Sequence, residues 1–129
     1  MVHIYFDAAT NQQTSEVGLG VWMKTSDGTV SIHTHKTSGL TSVQAELAAL
    51  RFALEQAHRL HGETTFMIHS DAETIVRALE QRFLKDRSVK PLFLEVLIAY
   101  DELPVTFIKW VPRSENKADR VAKQALSRE

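Results

Sequence analysis

Residues 17–37, VGLGVWMKTSDGTVSIHTHKT, carry the pattern on which the fold turns. Val17, Leu19, Val21 and Met23 occupy every second position, so an extended chain here has one apolar side. Asp27-Gly28 then separates this run from a second alternating stretch. Glycine accepts the positive φ of a tight hairpin turn, so the two stretches are predicted to pair antiparallel. Immediately upstream, residues 2–11, VHIYFDAATN, begin with an apolar run from Val2 to Phe6 that ends on Asp7. Three strands therefore open the chain as a meander.

From Thr41 the period changes. Val43, Leu47, Leu50, Leu54 and Ala57 recur at helical spacing, with Thr41 and Gln44 as a predicted capping box and an end near Gly62. Residues 64–71, TTFMIHSD, read as a buried strand feeding directly into a helix that carries Ile75, Val76, Leu79 and Phe83, with Ser70 and Glu73 as a second predicted capping box. Residues 90–103 are helical, Pro91 being tolerated in the first turn and Pro104 stopping the helix before the fifth strand, VTFIKWV. Ser114 is predicted to start a last helix striped by Ala118, Val121, Ala122, Ala125 and Leu126. The order βββαβααβα implies an α/β domain with a mixed five-stranded sheet, an antiparallel meander extended by parallel strands, and helices on its faces.

The chain has 129 residues, which suits a single domain over 1–129. A net charge of −1 gives no overall basic signature of a nucleic-acid binder, although charge can be segregated on one face. The absence of cysteine excludes disulfides, thiolate nucleophiles and cysteine-bound zinc. No signal-peptide pattern and no apolar run of the roughly 18 residues needed for a membrane span is present, so a cytoplasmic, non-membrane protein is expected.

Four acids sit where burial argues against them. Asp7 is expected to end the first strand, and Asp71 follows the fourth; the carboxyl ends of strands are where sites form in open α/β sheets. Glu46 shares a helix stripe with Leu50, Ala53 and Ala57 and has no lysine or arginine three or four residues away. Asp119 lies between the stripe residues Ala118 and Ala122. Taken singly, Asp71 reads as an N-cap, Asp119 as a partner for the helix dipole and Asp7 as a loop acid. Glu46, on a buried stripe, needs a cationic partner. Carboxylates gathered together repel one another and rise in pKa unless cations fill the gap. Hard oxygen ligands without cysteine suit Mg²⁺ or Mn²⁺, and such ions on a few carboxylates point to two-metal hydrolysis of a phosphodiester.

The order of elements and acids resembles the type 1 ribonuclease H family of the ribonuclease H-like superfamily, over nearly the whole chain. The matching segments are YFDAAT (5–10), LTSVQAELAALRFAL (40–54), FMIHSDAETIVRAL (66–79) and IKWVPRSENKADRVAKQA (108–125). The resemblance implies a ribonuclease H-like fold in which Asp7, Glu46, Asp71 and Asp119 are the catalytic, metal-binding acids. It also implies two Mg²⁺ or Mn²⁺ ions with substrate bound, and cleavage of the RNA strand of an RNA/DNA hybrid to leave a 5′-phosphate and a 3′-hydroxyl.

The sequence departs from the family in four places. Ala8-Ala9-Thr10-Asn11-Gln12-Gln13 replaces a glycine-rich turn, Thr41-Ser42-Val43 keeps only the threonine of a Thr-Asn-Asn segment, and Arg113 stands in a stretch where a histidine is familiar. The step from Asn116 to Asp119 is one residue shorter than usual, a rotation of about 100° on a helix if its start does not shift.

Nucleic-acid contacts are expected at Thr41, Arg113 and Asn116, and at Lys85, Arg87 and Lys90, which fall where larger relatives insert a basic helix. Arg77 and Arg82 read as solvated surface. His33 and His35 lack a third metal ligand and read as a solvated hairpin face. Trp22 and Trp110 are expected to pack on the sheet, and His69 to fill a half-buried strand position. A monomer without an obligate protein partner is expected. The competing reading is a catalytically inactive domain of the same fold that binds nucleic acid or protein. A repulsive acid cluster would serve no purpose in such a module.

Overall fold

A computed structural model describes residues 1–128. Strands β1 (Val2–Asn11), β2 (Glu16–Lys24), β3 (Val30–Ser38), β4 (Thr65–Ser70) and β5 (Val105–Trp110) form one five-stranded sheet in the order β3-β2-β1-β4-β5. β1 and β3 run antiparallel to β2, whereas β4 pairs parallel with both β1 and β5. The helices are α1 (Ser42–His58), α2 (Glu73–Gln81), α3 (Lys90–Asp101) and α4 (Asp119–Ser127), with short 3₁₀ turns at Arg87–Val89 and Arg113–Glu115. This is the ribonuclease H-like architecture and the element order expected from the pattern.

Local chemistry explains the meander. Gly28 has φ +90°, and the Asp27 carboxylate accepts from Thr25 Oγ1 at 2.6 Å and the Thr29 amide at 3.0 Å, closing the β2–β3 turn. The α1 capping box forms as expected: Gln44 N–H donates to Thr41 Oγ1 at 3.2 Å, and Thr41 N–H donates to Gln44 Oε1 at 2.9 Å.

The two faces of the sheet are covered differently. Val17, Leu19, Val21 and Met23 join Ile4, Phe6, Leu47 and Leu50 in one core beneath α1. On the opposite face, α4 lies directly on Gly18 and Gly20. A Cβ at either position would come within 2.4 Å of the α4 backbone, so only glycine lets the helix approach this closely. Val121, Ala122 and Ala125 supply the small buried side of α4.

Four local expectations are corrected. β1 does not end at Asp7 but runs on to Asn11, because Ala8–Asn11 pair with Glu16–Leu19 of β2. Ser70 and Glu73 form no capping box. Ala72 is the N-cap of α2, and Ser70 Oγ accepts from the Ala72 amide at 3.0 Å. Phe83 is not on the α2 stripe, because Arg82 turns left-handed at φ 56° and ends the helix, leaving Phe83 61% exposed. The last helix starts at Asp119 rather than Ser114, because Asn116 adopts an extended backbone that interrupts the helical path.

Candidate active site

A notch in the sheet sets the site. β1 pairs with β4 only as far as Tyr5↔His69, and β4 ends at Ser70, so the β4 side of Asp7 is left open while Gly20 of β2 pairs on its other side. Asp71 follows β4 directly. Glu46 reaches in from the second turn of α1, whose orientation is held by burial of Leu47, Leu50 and Leu54. One carboxylate oxygen from each of Asp7, Glu46 and Asp71 lies within 4.8 Å of the others. The rigid strand and buried helix thus bring together three acids that are far apart in the chain.

The electrostatics of this cluster are unfavourable without a cation. Burial, then the charge of Asp71, pushes the Asp7 carboxyl from 3.8 up to about 7, and Asp119 adds to the effect. Burial followed by repulsion from Asp7 and Asp71 pushes Glu46 from 4.5 to about 8. Asp7 Oδ1 and Glu46 Oε2 are buried and have no hydrogen-bond partner among the described residues. Buried carboxylate oxygens without donors are costly, and a divalent cation is the group that satisfies them best. The donor set, all oxygen, fits Mg²⁺ or Mn²⁺.

Asp119 is not part of the three-acid cluster. It is the first residue of α4, and Lys123 one turn on donates to its Oδ2 at 3.0 Å. Burial, the largest single influence, raises this carboxyl, but the Lys123 ammonium, a side-chain hydrogen bond with Asp7 and the charge of Arg113 together hold it below the usual range. Its charge still reaches Asp7. Arg113 is exposed on the 3₁₀ turn, and its positive charge favours the ionised forms of both Glu46 and Asp119.

The sequence reading missed the structural part played by Asn116, which is buried rather than facing outward. Its Nδ2 donates to the Phe6 carbonyl and to Asp71 Oδ2, each at 3.0 Å, and its Oδ1 accepts from the Ala118 amide at 2.9 Å. One amide therefore ties β1, the Asp71 carboxylate and the start of α4 together, and is fully used inside the protein. An asparagine just before a helix is a visible signal for the last of these bonds, but not for the other two.

Beside the acids, His69 is buried and stacks on Tyr5 at 4.2 Å, with His3 beyond it at 5.4 Å. Burial, then the neighbouring His3 and Lys109, pushes its imidazole down to about 4, so His69 is neutral at physiological pH. Trp22 packs edge-on against Tyr5, while Trp110 is half exposed and donates to the Asp71 carbonyl at 3.2 Å. Thr41, besides capping α1, is exposed at the helix N-terminus. Lys85, Arg87 and Lys90 lie away from the acids, beyond the far end of α2. That helix has nine residues, a length of about 13 Å. Arg77 pairs with Glu73, and Arg82 makes a two-pronged contact with Asp101 at 2.9 and 2.6 Å.

Comparison with known proteins agrees with this architecture. A family model described as reverse transcriptase-like matches residues 5–125. A curated relative from Enterococcus faecalis, EbsB, which bears a provisional hydrolase name, is 31% identical over 130 residues, covering 99% of this chain and 96% of the relative. The N-terminal ribonuclease H domain of a Mycobacterium tuberculosis protein superposes with a TM-score of 0.86 at 26% identity, over 97% of this chain and 92% of that one. Ribonuclease H1 of the archaeon Halobacterium salinarum gives 0.86 at 26% identity, over 97% and 96%. A ribonuclease H1 from compost, solved with an RNA/DNA hybrid, shares the fold with a TM-score of 0.86 at 22% identity, over 98% and 96%. With the family match and the EbsB likeness both spanning nearly its whole length, the chain belongs to the reverse transcriptase-like family and is an enzyme of the type 1 ribonuclease H group.

Proposed function

We propose that this chain, acting as one domain, is a divalent-metal-dependent endonuclease that hydrolyses the RNA strand of RNA/DNA hybrids, leaving a 5′-phosphate and a 3′-hydroxyl. The observation that carries this reading is the convergence of Asp7, Glu46 and Asp71 within 4.8 Å, with buried oxygens of Asp7 and Glu46 lacking any partner among the described residues. Asp7, Glu46 and Asp71 would hold two Mg²⁺ or Mn²⁺ ions, with Asp119 as the fourth acid. Such ions supply activation of the attacking water and neutralisation of charge on the phosphate and the leaving oxygen.

The chain's own residues perform the positioning. Asn116 holds the Asp71 carboxylate at 3.0 Å while anchored to the β1 backbone, so Asp71 cannot swing away from Asp7. Asp119, held by Lys123 at 3.0 Å and close enough to Asp7 to share a side-chain hydrogen bond, would complete the set of acids around the ions. Arg113 offsets part of the negative charge around Glu46 and Asp119 and stands exposed, where a substrate phosphate can approach. Thr41, at the positive end of α1, offers its hydroxyl and a helix N-terminus to a second phosphate. Arg113, Lys117 and Arg120 line the surface beside Asp119, where they can meet the phosphate backbone, while recognition of the hybrid rests on duplex shape and on 2′-hydroxyl contacts rather than base sequence.

The test is an end-labelled RNA/DNA hybrid incubated with the protein beside duplex RNA and both single strands, in Mg²⁺, Mn²⁺ or EDTA. Cleavage of the hybrid RNA strand alone, dependent on metal and yielding 5′-phosphate ends, supports the reading. Binding of the hybrid without cleavage in every metal condition overturns it in favour of a binding module.

A further inference from the structure

The turn between α2 and α3 forms a groove that the acid site does not use. Phe93 and Leu97 are its floor, and Phe83, Leu84 and Leu94 its walls, enclosing about 370 Å³. Phe83 is 61% exposed, Leu94 47%, and Ile98, one helical turn beyond Leu94, 61%. Large apolar side chains left this open together are uncommon on a soluble surface and mark a contact surface. The two-pronged Arg82–Asp101 pair ties the end of α2 to the end of α3, so the walls are held apart rather than left to collapse.

Around this apolar floor stand Lys85, Arg87 and Lys90. All three are exposed, and none makes an ion pair among the described residues. Of the nearby acids, Glu95 pairs with Arg51 and Asp101 with Arg82, whereas Asp86, between Lys85 and Arg87, is held ionised by bonds from Ser88, so the cluster keeps a net positive charge. A surface of three free cations over an open aliphatic and aromatic groove thus sits on a chain whose net charge is only −1.

We propose that this groove docks an acidic peptide segment of a partner protein, one bearing large apolar residues at helical spacing. Charge complementarity selects the acids, and the groove takes the apolar anchors. A nucleic-acid backbone satisfies the three cations but has no apolar group to fill the space between Phe83, Leu94 and Phe93, which makes it the poorer match. The groove is also beyond the far end of α2 from Asp71, so a docked peptide leaves the acids open. The surface serves to recruit the protein to a partner that its three acids do not recognise.

The probe is a fluorescein-labelled acidic peptide with Leu and Phe at i, i+3 and i+4, read by anisotropy on the full chain. The control has those residues changed to Ser, and a single-stranded DNA of equal charge is the competitor. The proposal expects the Ser control to bind at least about tenfold more weakly. It expects Leu94→Glu, and independently Phe83→Ser, to weaken the probe by about tenfold or more, with the urea midpoint and hybrid cleavage retained. Lys85→Glu weakens the probe likewise. Equal binding of the Ser control, or no binding of the probe, overturns the proposal. So does DNA that displaces the probe while Leu94→Glu leaves both affinities unchanged, which identifies a phosphate-binding surface instead.

Discussion

Removing the charge of Asp7 should stabilise the metal-free protein, and more so as the pH rises. The Asp7 carboxyl titrates near 7 in the fold, raised from 3.8 by burial and by Asp71. Between those two values the folded chain keeps a proton that the unfolded chain has released. The native state then binds more protons, so its stability falls as pH rises, by about 1.4 kcal/mol per pH unit, until the folded carboxyl also ionises. From pH 5 to about 7 this amounts to about 3 kcal/mol, and above about 7 the loss is complete. Asp7→Asn removes that dependence. Because the Asp7 charge also helps raise Glu46, which titrates near 8, urea unfolding in EDTA, followed by circular dichroism at pH 5 and pH 8.5, should show the variant gaining at least about 3 kcal/mol on the wild type between the two conditions. Comparing the two proteins cancels the opposite contribution of His69, which titrates near 4 in the fold and loses stability as pH falls below its unfolded value. Mg²⁺ or Mn²⁺ at pH 8.5 should then stabilise the wild type and leave the variant nearly unchanged. A difference between the two proteins that stays constant within about 0.5 kcal/mol across pH would refute the electrostatic account of the cluster.

Other substitutions test the scaffold and the substrate surface. Gly20→Ala places a Cβ 2.4 Å from the Ala122 backbone nitrogen, so α4 must shift; a loss of at least about 2 kcal/mol in chemical denaturation is expected. Asn116→Ala leaves the buried Phe6 carbonyl and Ala118 amide without their partners, and should cost about 2–4 kcal/mol while weakening metal binding in calorimetry by about tenfold or more. Hybrid affinity should fall by about tenfold between 50 and 200 mM salt, less steeply than for a protein making many phosphate contacts, as measured by fluorescence polarisation.

Much of this was legible because it is encoded locally. The alternation of Val17 to Met23, the Asp27-Gly28 turn and the helical period from Thr41 each report on neighbouring residues, and the elements formed where those patterns stand. Asp7, Glu46 and Asp71 were visible as acids because they interrupt apolar patterns. What escaped were consequences of distant partners. β1 extends past Asp7 because residues 16–19 of β2 continue the ladder, and nothing within AATN announces that pairing. Phe83 continues the apolar period of α2, but the left-handed Arg82 removes it from the stripe. Gly18 and Gly20 acquire their meaning only from α4, about a hundred residues later, whose backbone rests on them. Asn116 reads from the sequence as a nucleic-acid contact, and nothing in the chain around it announces that its buried amide satisfies groups on three segments. The Asp119–Lys123 pair, by contrast, was available from its i, i+4 spacing alone.

The central claim, that three converging acids hold the ions that cut a hybrid, is tested most directly by Glu46→Gln. This change preserves the shape of α1 and keeps a side chain that can accept from the Ala8 amide, while removing the carboxylate charge. Initial rates of RNA-strand cleavage in an RNA/DNA hybrid should be compared at pH 8 with saturating Mg²⁺ or Mn²⁺. The account predicts a loss of at least about a hundredfold in a variant that remains folded. A Glu46→Gln protein cutting the hybrid within about twofold of the wild-type rate would contradict it.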